Sequence, residues 1–140
     1  MATAIRTWAL ANPHEYALIY GSPVPGYHAP EQTIGPATRV SLALLGVVAD
    51  ARAAGRLTTV DGPLPSGLSR DLEQVREDLG DDPVGAIPPA ALARALTAWT
   101  QLFGSISFEL FGQTRNVITD HDALFETSTR AMAAHIGLPG

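Results

Sequence analysis

Apolar positions recur at three- and four-residue intervals along most of the chain, and prolines and glycines divide that rhythm into segments. Ala2 to Ala11 is rich in helix formers and sets Ile5, Trp8 and Ala9 on one side, which predicts an amphipathic helix. Asn12-Pro13 ends it, because proline disfavours helical backbone at the residue before it while suiting the first turn of a new helix that Asn12 can cap. A second, short helix is predicted from Pro13 to Tyr20, carrying Tyr16, Leu18, Ile19 and Tyr20. Residues 21–30, GSPVPGYHAP, hold too many prolines and glycines for regular structure and predict an ordered surface loop with Tyr27 as its one large side chain.

Helical periodicity returns from about Glu31 or Pro36 to Ala54, with Val40, Leu44, Val47, Val48 and Ala51 on one face and Gly55 as the stop. Thr58 to Pro65 reads as turn. Leu68, Leu72, Val75 and Leu79 then mark a short amphipathic helix closed by Asp81-Asp82-Pro83. Pro88 or Pro89 opens a long helix to about Gly112, its core stripe read as Leu92, Leu96, Trp99, Phe103, Ile106 and Leu110. A last helix starts near Asp120 or Asp122, acids suited to the positive end of the helix dipole, and runs through Leu124, Phe125, Met132 and Ile136 to Gly137. No stretch alternates as a strand would, so the predicted fold class is all-α, and its 140 residues suit one domain, 1–140.

Composition narrows the function. Charged residues are 16% of the chain and apolar ones 46%, enough to bury a core and too little charge for disorder. The net charge of −5 sets the average field against a phosphate backbone, so direct nucleic-acid binding by these residues is not expected. All nine basic residues are arginine, a balance that suggests a GC-rich bacterial gene. Cysteine is absent, which removes disulfides, thiolate nucleophiles and thiolate metal ligands together. No apolar run approaches the ~20 residues that span a bilayer and no leader pattern is present, so no membrane association and a cytoplasmic location are expected.

Two stretches carry a resemblance. RTWALANPHEYALIYGSPVPGY, residues 6–27, resembles the opening of one subclass of TetR-family C-terminal domains; WTQLFGSISFELFG, residues 99–112, resembles a later helix of the same subclass. In that subclass a tryptophan, a histidine and a glycine mark this helix. Trp99 and Gly104 fit, and Phe103 stands where the histidine would be. The resemblance implies a TetR C-terminal-like helical bundle that homodimerises through its last two long helices as a four-helix interface and holds a small-molecule effector among the preceding ones. It also implies contact with DNA only through an N-terminal helix-turn-helix domain whose basic pattern is not found in these residues. The chain is therefore expected to be a portion, or a natural truncation, of a longer regulator, by expectation a repressor.

Candidate sites follow from the segments a bundle brings together. Trp8, Tyr16, Tyr20, Trp99 and Phe103 could line an aromatic pocket or be core filling. Ser107, one turn beyond Phe103, could meet a ligand there or bond back to the preceding turn. Gly104, Ser105 and Ser107 on the long helix, with Ser128, Ala131 and Ala134 on the last, make small-residue stripes. A two-fold interface along them would take in Phe108, Phe111, Leu124, Phe125 and Met132. Glu109 interrupts an apolar run and needs a partner, either an arginine such as Arg115 or Arg39 or a ligand. His14, His28, His121 and His135 have no metal-ligand spacing, Asp122 beside His121 reads as a helix cap, and no nucleophile motif occurs, so neither a metal, a cofactor nor catalysis is expected. The rival reading is a purely structural dimerisation module that binds no ligand; a small helical enzyme would need a polar constellation absent from the sequence.

Overall fold

A computed structural model describes residues 1–21, 26, 34–58, 62–80 and 82–139, with the backbone alone at 34–37. The expected loop side chain Tyr27, the turn at 59–61 and Asp81 lie outside the described residues. Six helices occur and no strand among the described residues: α1 (Ala2–Ala11), α2 (Pro13–Tyr20), α3 (Ile34–Ala53), α4 (Ser66–Leu79), α5 (Pro89–Leu110) and α6 (His121–Ile136).

The helix ends follow local chemistry. Pro13 and Pro89 sit in the first turns of α2 and α5, where a missing N–H leaves no hydrogen bond unmade. Gly55, at φ +65°, lets the N–H of Arg56 return to the carbonyl of Ala51 and close α3. Two expected caps are assigned differently. The Asn12 side chain donates to the Trp8 carbonyl at 2.9 Å, closing α1 instead of opening α2. Asp120, not Asp122, caps α6, accepting from the N–H of Ala123 at 2.9 Å; Asp122 already lies within the helix and points to Arg6.

The long helix α5 is the axis of the fold and packs against α1, α3, α4 and α6. Its buried residues are Leu92, Ala95, Ala98, Leu102, Phe103 and Ile106. Leu96, expected in that stripe, is 45% exposed, because small Ala95 and Ala98 let neighbouring helices approach and turn the buried face toward themselves. Two apolar clusters share α5. One joins Ala9, Tyr16, Leu102, Phe103, Ile106, Phe125 and Met132; the other joins Val48, Leu72, Val84, Ile87 and Leu92. Partly buried Ile136 touches both. No described helix is long and apolar enough to cross a membrane.

Candidate functional site

The five aromatic residues named as pocket candidates form a continuous row. Tyr16 is fully buried, with ring centroids 5.1 Å from Tyr20 and 6.5 Å from Trp8. Tyr20 lies 4.4 Å from Phe103, and Phe103 lies 5.6 Å from Trp99. The row packs on itself, α1 and α2 laying their rings along α5. The Tyr16 hydroxyl donates to the Phe103 carbonyl at 3.1 Å and shares a hydrogen bond with Ser107 Oγ at 2.8 Å. Ser107 thus meets a tyrosine rather than open space. Burial raises the Tyr16 phenol above its ordinary pKa, partly offset by the Ser107 bond, and burial raises Tyr20 as well.

The open volume lies on the other side of Trp99. A cavity of about 310 Å³ is walled by Leu44, Leu45, Val47 and Val48 of α3, Ala95, Leu96, Trp99 and Leu102 of α5, and Thr129, Met132, Ala133 and Ile136 of α6. Met1, Ala2 and Leu138 also line it. Leu96, Val47 and Met1 are exposed as well as lining, so they mark its mouth. Among the described ligand-pocket candidates Trp99 alone borders this cavity; Met132, expected at the interface, borders it as well. Sequence reading passed over the aliphatic wall because leucine and alanine at helical spacing look alike whether they fill a core or surround a hollow.

Among the described residues no charged side chain borders the cavity, and the one lining residue with a charged main-chain group is Met1, at the amino terminus. The indole Nε1 of Trp99 is packed out of reach of the open space and has no hydrogen-bond partner, an omission that costs about 1–3 kcal/mol in an otherwise satisfied interior. Thr129, a polar side chain on the cavity wall together with Ser41, already donates to the carbonyls of Phe125 and Glu126 at 2.9 Å.

The outer face of α5 and α6 is apolar and open. Phe108 is 58% exposed and Leu124 39%, with Gly104 and Ser128 half-buried and Ala131 exposed; Phe111, expected on the same face, is 48% exposed but lies just past the end of α5 with its ring 6.3 Å from Tyr16. Phe125 and Met132, placed on the same face from the sequence, are buried inside the protomer. A groove of about 200 Å³ runs between Ser105, Phe108, Leu124 and Ser128.

Glu109 finds an arginine, though neither Arg115 nor Arg39. Arg6 of α1 forks onto it, Nε to Oε2 at 2.8 Å and Nη2 to Oε1 at 2.7 Å, and its Nη1 reaches Asp122 at 2.7 Å. The same guanidinium lies 5.0 Å over the Phe125 ring. Hydrogen bonding to Glu109 holds Arg6 firmly protonated, further above an already high pKa. No group of three or more metal-ligating side chains gathers among the described residues.

A family model described as the tetracyclin repressor-like C-terminal domain matches residues 1–132. The chain is 39% identical over 139 residues to the HTH-type transcriptional regulators Rv1816 of Mycobacterium tuberculosis and Mb1846 of Mycobacterium bovis, covering 96% of this chain and 56% of each relative. The crystal structure of SCO4313, described as a regulatory protein, superposes with a TM-score of 0.64 at 34% identity, covering 95% of this chain and 58% of that one. The chain belongs to the TetR-family C-terminal domains, a class of transcription regulators and not of enzymes. It spans little more than half the length of these relatives.

Proposed function

We propose that this chain is the effector-sensing and homodimerising part of a cytoplasmic transcription repressor whose DNA contact is made by a helix-turn-helix domain in the remaining length, as the relatives' names describe for them. The observation that carries the reading is the sharing of α5 and α6 by two features. The cavity is walled on two sides by these helices, and their outward faces present Phe108 and Leu124 to solvent. Apolar surface of that kind on two adjacent helices suits a four-helix interface with a second copy. A small molecule lodged under α5 and α6 would favour one packing of the two protomers over another, and only that difference in affinity can change the spacing of two DNA-reading heads. No bond is made or broken.

The test uses a full-length regulator carrying this domain. Sedimentation equilibrium at micromolar concentration is expected to give a dimer that Phe108→Arg dissociates by at least ~100-fold in Kd, since it places a charge at the centre of an apolar interface. Affinity for its own promoter DNA is expected to fall by ~5–150-fold when a cavity ligand found by thermal shift is added. A monomeric wild type, or DNA affinity indifferent to every stabilising compound, refutes the proposal.

A further inference from the structure

An acid stands on the face that Phe108 and Leu124 leave open. Glu109 lines the groove of about 200 Å³ together with Ser105, Phe108, Leu124 and Ser128, and its side chain keeps 14% of its surface exposed. A second copy laid over this face would remove that remaining water, and a carboxylate so covered opposes association unless its charge is met. The charge is met from a helix that does not line the groove. Arg6 takes both carboxylate oxygens, Oε2 with Nε and Oε1 with Nη2, while its Nη1 reaches Asp122, which is 89% exposed. Arg6 is the single charged residue of α1. The Arg6 and Glu109 pair is therefore neutral, and the unbalanced negative charge of the trio sits on Asp122, in water. The other titratable groups near this end of α5 are His121, at the first position of α6 and on the same groove, and Arg115, which lies along Gly112. Neither forms an ion pair with Glu109 among the described residues.

Resting on the self-association reading above, we infer that Arg6 is a charge gate on the outer face of α5 and α6. With α1 docked, Arg6 neutralises Glu109 and lets a second copy of this chain close over the groove; with α1 displaced, each copy presents a bare carboxylate that opposes the pairing. Arg6 acts through Glu109 and is a positioning residue, not a contact of the interface. In a two-fold pair the loss is met twice, because each copy brings its own Glu109. Ala2, one turn before Arg6 on α1, lines the cavity, so the gate lies within reach of whatever fills that space.

Sedimentation velocity on this chain, at about pH 8 and about pH 5, separates charge from packing. At the higher pH, Arg6→Met is expected to raise the dimer Kd about 100-fold, about tenfold for each stranded carboxylate. Acid then supplies a proton in place of the guanidinium, and at the lower pH at least about tenfold of that affinity should return. Arg6→Met/Glu109→Gln lacks the same tether but has no carboxylate to cover. It should dimerise within about threefold of the wild type measured at the same pH, a comparison that cancels His121 and Asp122, which all three chains retain. Arg6→Gln keeps a donor for the carboxylate without the charge. It is expected to lose at least about tenfold in affinity and to recover in acid, and it carries the test if helical circular dichroism shows Arg6→Met to be unfolded. A wild type that stays monomeric overturns the self-association reading and this gate with it. Where the wild type dimerises, three results overturn the gate alone: arginine variants that pair as tightly as wild type, variants that gain nothing in acid beyond the double variant, or a double variant as weak as Arg6→Met.

Discussion

Replacing Arg6 by methionine tests how much of this fold is held by one charge network. The guanidinium and the Glu109 carboxylate keep only 12% and 14% of their side-chain surface exposed, and they meet through two parallel bonds of 2.7 and 2.8 Å. Methionine has a similar stem and fills much of the same space, so packing is largely preserved and the electrostatic loss dominates. Breaking a fully buried pair costs about 3–5 kcal/mol because one charge is left behind. Here the residual exposure lets Glu109 recover some water, which brings the expected loss to about 2–3 kcal/mol. The Asp122 arm adds at most about 0.5 kcal/mol, since that carboxylate is 89% exposed. Urea unfolding followed at 222 nm should show the midpoint lower by about 1–2 M with an unchanged slope. The decisive measurement is the double variant Arg6→Met/Glu109→Leu. With both charges gone no carboxylate is stranded, so it should regain most of the loss and give a coupling of about 2 kcal/mol between the two positions. A single variant within 0.5 kcal/mol of wild type, or a double variant no more stable than Arg6→Met, refutes the argument by showing Glu109 to be well solvated without its partner.

Gly137→Ala should cost about 2 kcal/mol or more, because the residue sits at φ +94° and an added Cβ would meet the Thr58 carbonyl oxygen at 2.3 Å. Gly55→Ala, also left-handed at φ +65° but facing open space, should cost only about 1 kcal/mol; equal losses in thermal unfolding would show that the approach to Thr58 does not matter. Tyr16→Phe should lose about 1 kcal/mol at neutral pH with its two hydrogen bonds. It should also flatten the alkaline limb of stability: Tyr16 ionises at 10.0 when unfolded and above that value when folded, so its contribution is complete below pH 10 and is lost as pH rises through the folded pKa. An alkaline limb unchanged in the variant would contradict the burial argument.

The helices and their ends were legible in the residues because the signals act over four positions or fewer. Pro13 and Pro89 can begin a helix but not sit inside one, Gly55 and Gly137 can adopt the left-handed turn that ends one, and these constraints need no knowledge of what lies across the fold. Even so, the side chains of Asn12 and Asp122 went elsewhere than their positions implied, each drawn to a partner that a cap rule does not see. The family was legible too, in residues 6–27 and 99–112.

What lies between the helices was decided only by their packing. Arg6 and Glu109 are 103 positions apart, and nothing in the composition distinguishes Arg6 from Arg39 or Arg115 as the partner of that carboxylate. The row from Trp8 to Trp99 and the cavity beyond it use residues of the same apolar kinds, and which of them fill space and which enclose it depends on crossing angles and on how closely Ala95 and Ala98 let α3 and α6 approach. A hollow is an absence of atoms. Periodicity tells which side of a helix faces inward, but only the assembled bundle fixes whether that inward face touches a neighbour.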